Sequence, residues 1–131
     1  MMYFTALATL ASVLFYFYLG VGVARGRAKY GVAAPATTGH PIFERLYRIQ
    51  MNTLEWMVVF LPCLWLFGFY VSDAGAGLLA LVWIGGRLIY KRGYEEAPEK
   101  RGRGFGIQAL ATAILFFGAL IDILARIFLG D

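Results

Sequence analysis

Four long apolar segments dominate this chain, and polar and charged residues collect in the stretches between them. The segments cover residues 3–23, 42–71, 74–91 and 105–129. A membrane-spanning helix needs about 20 predominantly apolar residues. The pattern therefore predicts an all-α integral membrane protein, in which residues 1–131 form a single four-span transmembrane domain folded as a four-helix bundle.

The second segment changes character along its length. A helix can begin near Pro41, because proline is tolerated in the first turn. Residues 42–55 are charged and polar, whereas residues 56–71 are almost wholly apolar. A continuous helix from Pro41 to Val71 would be roughly 45 Å long. We therefore expect its first turns to project from the membrane on the cytoplasmic side.

The basic residues predict the orientation. Eleven of the twelve lysines and arginines flank or lie in the first and third connections, and only Arg126 is at the other end. Cytoplasmic loops carry such an excess. Loops 24–41 and 91–104 are therefore predicted to be cytoplasmic and both termini periplasmic or lumenal. We expect the bacterial inner membrane rather than the endoplasmic reticulum.

Composition agrees with a membrane protein and excludes other classes. The chain is 60% hydrophobic and 15% charged, with a mean hydropathy of +0.67, whereas soluble domains are about 25% charged. Orientation already explains the net charge of +4, so no nucleic-acid partner is expected. The single cysteine, Cys63, excludes an internal disulfide and a multi-cysteine metal site, and we expect no metal.

Polar residues at the start of the second segment form one stripe. At 100° per residue, Glu44, Arg48, Asn52 and Glu55 share a helix face, whereas Gln50 points elsewhere. Charged groups at membrane depth are costly unless they pair or face a wet cavity, so such a stripe indicates a functional site. The alternative is a set of interhelical salt bridges, and Glu44 and Arg48 are spaced to pair with each other.

A second stripe closes the third segment, where Arg87, Tyr90, Lys91 and Tyr94 are predicted to share a face. Interfacial tyrosines alone are an ordinary belt feature. Together the two stripes bring arginines, carboxylates, an amide and phenols to one depth. That mixture suits a small zwitterionic ligand with several carboxylates and an amine, because arginine binds carboxylates bidentately. Glu55 could receive the ammonium group.

Two sequence segments resemble a known family. ATTGHPIFERLYRIQMNTLE and, later, RLIYKRGYEEAPEKR are similar to segments of the membrane-associated proteins in eicosanoid and glutathione metabolism (MAPEG). This family includes microsomal glutathione transferases and leukotriene synthase, and the resemblance covers Pro35 to about Leu120. It implies a four-helix subunit that assembles as a homotrimer, with glutathione bound between neighbouring subunits near the cytoplasmic face.

The resemblance also implies roles for individual residues. The residues implied to bind glutathione, the co-substrate, are Arg27, Arg48, Gln50, Asn52, Glu55, Arg87, Tyr90 and Tyr94. Arg101 falls where glutathione-conjugating members place the arginine that stabilises the thiolate, so it is the implied catalytic residue. Trp56 replaces a tyrosine of leukotriene synthase, and Ala28 replaces the second of two adjacent arginines. The missing arginine argues against leukotriene synthesis itself.

The expected function is therefore that of a membrane glutathione S-transferase acting on hydrophobic electrophiles. Glutathione-dependent reduction of lipid hydroperoxides is an expected second activity, and membrane lipid an expected partner. A non-catalytic lipid-binding scaffold of the same family is the alternative. A small four-span multidrug antiporter would need a glutamate in its first span, and residues 3–23 contain no acidic residue.

Overall fold

The computed structural model describes residues 1–130, which form four long helices and one short 3₁₀ helix. Helix α1 spans Tyr3–Tyr30, α2 spans Pro41–Tyr70, α3 spans Asp73–Glu96 and α4 spans Gly102–Leu129, while the 3₁₀ helix Pro98–Arg101 joins α3 to α4. Residues 1–130 contain no β-strand. Four helices are long and apolar enough to cross a membrane. The predictions of an all-α chain and of an integral membrane protein are confirmed.

The helices extend beyond the predicted spans. Helix α1 continues past residue 23 to Tyr30, and α3 continues past residue 91 to Glu96. Gly31 ends α1 in the left-handed conformation, with φ of 68°, which glycine adopts at little cost. A fall in hydropathy marks where a chain leaves hydrocarbon, whereas a helix ends only where its backbone is capped. The connections are therefore shorter than the charge pattern predicted.

Helix α2 begins and ends close to its predicted limits. Pro41 occupies its first turn, and the preceding His40 caps it, because His40 Nδ1 accepts a hydrogen bond of 3.2 Å from the Ile42 N–H. With 30 residues, α2 is roughly 45 Å long. That length exceeds the roughly 30 Å of bilayer hydrocarbon, so one end of α2 extends into the interface.

The bundle has apolar side chains outside and several polar side chains inside. On α1 the exposed positions include Leu7, Leu10 and Leu14, whereas Thr5 and Ser12 are fully buried. The Ser12 hydroxyl donates a hydrogen bond of 2.8 Å to the Ala8 carbonyl of its own helix. A surface of this kind suits lipid, because lipid tails solvate apolar side chains and the helix satisfies its own backbone.

Helices α2 and α3 form the centre, and α1 and α4 each pack against both of them. Phe60 of α2 stacks on the buried Trp83 of α3 with ring centroids 4.1 Å apart. At the far end, Asp73 ties α3 to α1 by accepting hydrogen bonds from the backbone N–H groups of Phe4 and Thr5 at 3.0 and 2.8 Å. These contacts fix the position of α3 relative to α2 and to α1.

Glycines bring α3 and α4 into backbone contact just before the predicted polar site. A Cβ atom added at Gly104 would overlap the backbone nitrogen of Tyr90, and one added at Gly86 would lie 2.8 Å from the Gln108 nitrogen. Small residues at a helix interface permit such close contacts. Gly85 does not contribute, because a Cβ there would meet nothing within 4 Å. The crossing sets where the 3₁₀ helix, and so Arg101, meets the end of α3.

Candidate functional site

An open cleft of about 540 Å³ lies where the first turns of α2 face the end of α3 and the 3₁₀ helix. Small-molecule sites occupy roughly 300–1,000 Å³. The residues that line it include Glu44, Arg45, Tyr47, Arg48, Tyr94 and Pro98. Both predicted polar stripes thus contribute to a single concave surface, as their common depth suggested.

The first stripe holds an exposed ion pair. Arg48 donates to Glu55, two helical turns along, with nitrogen to oxygen distances of 2.9 and 3.4 Å. The alternative pairing of Arg48 with Glu44 is wrong, because Glu44 instead accepts a hydrogen bond of 3.5 Å from the Gly39 N–H. The Arg48 and Glu55 side chains are 49% and 55% exposed. Pairs as exposed as this one contribute little stability, so a charged ligand can replace either partner at small cost.

Beside this pair lies a buried cation. Arg87 has no solvent exposure, and it donates hydrogen bonds to Asn52 Oδ1 at 2.9 Å and to Thr53 Oγ1 at 2.6 Å. Its guanidinium carbon lies 4.3 Å from the centroid of the Tyr90 ring. These partners are neutral, so they hold the guanidinium in place without cancelling its charge. The positive charge favours an anion nearby.

Aromatic contacts connect Arg87 to Arg101. The rings of Tyr90 and Tyr94 meet edge to face with centroids 5.7 Å apart, and the guanidinium carbon of Arg101 lies 5.5 Å from the Tyr94 ring. Arg101 also donates a hydrogen bond of 2.5 Å to the Pro98 carbonyl within the 3₁₀ helix. The structure therefore brings Arg101 of the 3₁₀ helix to the row of Arg87, Tyr90 and Tyr94 on α3.

Trp56, Phe105 and Tyr90 form a cluster of aromatic side chains. Trp56 packs edge to face on Phe105 of α4, with ring centroids 5.3 Å apart. Phe105 in turn lies 6.4 Å from the Tyr90 ring. Trp56, the residue that departs from the leukotriene synthase pattern, thus belongs to an aromatic cluster that adjoins Tyr90.

Two of the predicted glutathione-binding residues lie elsewhere in this chain. Arg27 donates a hydrogen bond of 2.6 Å to the Ala36 carbonyl and lies 4.9 Å from the Phe43 ring. Gln50 faces α1, where it lines an apolar groove of about 400 Å³ with Gly20 and other residues. Within one chain, neither residue joins Arg48 and the tyrosines.

Lys91 was predicted to share a face with Tyr90 and Tyr94, and that prediction is wrong. Lys91 pairs with Glu95 at 2.6 Å and lies 5.6 Å from the ring of Tyr18 on α1. Successive helical residues are turned by 100°, and this turn carries Lys91 to the α1 side of α3.

Sequence reasoning missed two residues that fix the site. Thr53 supplies the hydroxyl that holds Arg87, and Arg45 donates to the carbonyl oxygens of Glu95 and Glu96 at 3.1 and 3.4 Å. Arg45 thereby caps the end of α3, where cations are favoured. Arg45 directly follows Glu44 of the polar stripe in the sequence, which was a usable signal, whereas nothing in the sequence marked Thr53.

Metal-binding clusters are absent from the described part of the chain: residues 1–130 contain no group of three or more histidine, cysteine, aspartate or glutamate side chains that could hold an ion. Cys63 is buried in α2.

Comparison with known proteins gives consistent matches. The model of the MAPEG family matches residues 5–121. An uncharacterised protein of Synechocystis sp. is 49% identical over 119 residues, 91% of this chain and 87% of the relative. Microsomal glutathione S-transferase 2 of Homo sapiens is 44% identical over 101 residues, 74% of this chain and 69% of the relative. Leukotriene C4 synthase of Cavia porcellus is 38% identical over 121 residues, 92% of this chain and 81% of the relative.

Proposed function

The chain belongs to the MAPEG family, and from this membership we propose that it is a membrane glutathione S-transferase that conjugates glutathione to hydrophobic electrophiles. The observation that carries the proposal is that Arg48 and Tyr94 line one cleft at the end of the bundle. Arg101 lies against the Tyr94 ring, and the buried Arg87 lies against the ring of Tyr90. Reduction of lipid hydroperoxides by the same glutathione thiolate is proposed as a second activity.

The charges of the cleft suit glutathione, which carries two carboxylates and one ammonium group. Arg48 can bind a carboxylate through its planar fork, and Glu55 can receive the ammonium group. In the structure these two side chains bind each other at 2.9 Å, so the peptide exchanges one ion pair for two. Asn52, held by Arg87, can bind a peptide group.

Arg101 is proposed to keep the sulfur of glutathione ionised. A free thiol with a pKa near 8.5 is only a few per cent thiolate at neutral pH, and the thiolate is the nucleophile. Lowering the pKa of that thiol by about two units requires roughly 2.7 kcal/mol of selective stabilisation. One guanidinium about 4 Å from the sulfur can supply it near a protein surface. The thiolate then forms the carbon–sulfur bond as the electrophile releases its leaving group.

A homotrimer is proposed as the active form. Arg27 and Gln50 lie on the α1 side of the chain, apart from the Arg48 cleft. A site between subunits would let these two residues complete the cleft of a neighbour. The apolar groove beside Gln50 would then offer a hydrophobic electrophile a path from the lipid to the sulfur.

The bacterial inner membrane is the proposed location, with residues 24–41 and 91–104 on the cytoplasmic side and both termini in the periplasm. The concentration of lysines and arginines at those connections supports this orientation. A relative in a cyanobacterium, Synechocystis sp., supports the location.

Turnover tests the proposal against the alternative of a lipid-binding scaffold. We expect the purified protein to contain three chains per particle in detergent. We also expect it to conjugate glutathione to a chlorodinitrobenzene. Arg48→Ala should raise the KM for glutathione about tenfold, because a charge-assisted hydrogen bond contributes roughly 1.5–3 kcal/mol. Arg92→Ala, which removes an exposed arginine of α3, is the matched control and should leave the KM unchanged.

The scaffold predicts a different pattern in the same preparation. Glutathione or lipid would raise the melting temperature, but no conjugate would form at any glutathione concentration. That result would refute the transferase proposal while leaving the four-helix membrane fold intact.

A further inference from the structure

A second cleft, of about 520 Å³, lies between α1, α2 and α3 on the side of α3 that carries Lys91. One end of this cleft is polar and the other is apolar. Its polar residues are Tyr18, Arg25, Lys91 and Glu95, and its apolar wall includes Leu14 and Val21. It shares none of its lining residues with the cleft beside Arg48, so it is a separate site.

The polar end carries an excess of positive charge. Lys91 binds Glu95 at 2.6 Å and its side chain is only 17% exposed. Arg25 is exposed, and none of the ion pairs within residues 1–130 involves it. Two cations and one carboxylate leave one net positive charge at the mouth of the cleft. An anion bound there would gain two cationic partners.

The apolar end continues along the bundle. A further groove of about 380 Å³ follows α1 and α3, lined by residues that include Ala11 and Leu81. Ala11 is one helical turn from Leu14, so the two grooves run end to end between the same helices. From Arg25 to Leu14 the distance along α1 is about 16 Å, which is half of the roughly 30 Å hydrocarbon thickness. The first groove thus matches one leaflet in depth.

We propose that the second cleft, which contains Arg25 and Lys91, binds an anionic phospholipid of the cytoplasmic leaflet. Its phosphate lies against Arg25 and Lys91, and an acyl chain lies along Leu14 and Val21. Guanidinium groups bind phosphate oxygens bidentately, and basic pockets between helices on this side of a membrane suit anionic head groups. The lipid site depends on the membrane orientation and not on the glutathione chemistry. The lipid proposal and the transferase proposal can therefore be refuted separately.

Lipid-dependent thermal stability tests the site. The purified protein in a non-ionic detergent is melted with increasing phosphatidylglycerol or, separately, phosphatidylcholine. We expect phosphatidylglycerol to raise the melting temperature at lower mole fractions than phosphatidylcholine. Arg25→Gln should weaken the apparent affinity for phosphatidylglycerol about tenfold, the loss of one charge-assisted hydrogen bond. Lys29→Gln removes a cation of the same helix outside the cleft and should have little effect.

Three results would overturn the proposal. Equal stabilisation by both lipids, or equal losses of phosphatidylglycerol affinity in Arg25→Gln and Lys29→Gln, would show a general surface effect in place of a site.

A second copy of the chain in the cleft would be detected with Leu14→Cys in a Cys63→Ser background, as disulfide-linked chains after mild oxidation. If the melting temperature of Arg25→Gln without lipid differs from that of the wild type, Arg25→Lys, which keeps the charge, should retain the preference for phosphatidylglycerol.

Discussion

A small neutral side chain fixes the position of the buried charge in this protein. Thr53 accepts a hydrogen bond of 2.6 Å from Arg87 and donates one of 2.8 Å to the Ile49 carbonyl. The same guanidinium holds Asn52, which is proposed to bind a peptide group of glutathione. The hydroxyl of Thr53 therefore acts on the site through Arg87, without itself lining the cleft.

Thr53→Val should lower both stability and glutathione affinity. Valine has nearly the shape of threonine but leaves a buried guanidinium nitrogen without this partner, which costs about 1–3 kcal/mol. We expect a lower melting temperature and a higher KM for glutathione. Thr112→Val is the control, because Thr112 is also buried but its hydroxyl bonds only the Gln108 carbonyl of its own helix. Equal losses in the two variants would contradict the special role of Thr53.

Helical periodicity predicted part of the site at the level of residues. It placed Arg48, Asn52 and Glu55 on one face, and in the structure Arg48 does reach Glu55. It could not predict that Lys91 turns toward Tyr18, because the angular position of a residue does not say which helix it will meet. The surroundings of Gln108 were not predicted either. Its side chain is fully buried, and neither of its amide atoms has a hydrogen-bond partner within residues 1–130.

At the scale of elements, the crossing of α3 and α4 determines the position of the catalytic candidate. Gly104 lets the backbone of α4 approach that of Tyr90, and Gly93 lets the 3₁₀ helix approach the end of α3. Arg101 ends this 3₁₀ helix and lies beside Tyr94. A wider crossing would move the guanidinium away from the tyrosines without changing any residue of the cleft.

Gly104→Ala should therefore disrupt activity from outside the cleft. Its methyl group would overlap the backbone of Tyr90, and rigid backbone cannot yield as a flexible side chain can. We expect a large loss of conjugating activity and a lower melting temperature. Gly106→Ala is the matched control on the same helix, where an added Cβ meets nothing within 4 Å. Alanine there should leave stability unchanged or raise it by up to about 1 kcal/mol. Similar behaviour of the two variants would contradict this role of the crossing.

The elements themselves were largely predictable. Hydropathy gave the number of helices, and Pro41 gave the start of α2. The ends of α1 and α3 were not predicted, because Arg25 and Lys91 continue a helix as readily as they flank a membrane. A cap such as Gly31, with its positive φ, marks the end of a helix better than a charge does.

At the scale of the whole molecule, the groups proposed to bind glutathione form two sets on different sides of one chain. The first set consists of Arg48 and Tyr94, which line the cleft, and of residues linked to them by hydrogen bonds and ring contacts: Asn52, Glu55, Arg87, Tyr90 and Arg101. The second set, on the α1 side, consists of Arg27 and Gln50. Within one chain, Gln50 lines a groove on α1 and Arg27 binds the Ala36 carbonyl. The trimer was implied by family resemblance alone, since no sequence pattern states how subunits meet. It stays a proposal, supported by this division.

The most direct test is the ultraviolet absorbance of the glutathione thiolate when glutathione is titrated into the purified protein at neutral pH. The wild type should show thiolate on binding. Arg101→Ala should bind glutathione with an affinity within a few-fold of the wild type, measured by calorimetry, yet show no thiolate absorbance. Arg103→Ala, an exposed neighbour, should behave as the wild type does. An equal thiolate signal in Arg101→Ala, or none in the wild type with bound glutathione, would contradict the claim that this site ionises the sulfur.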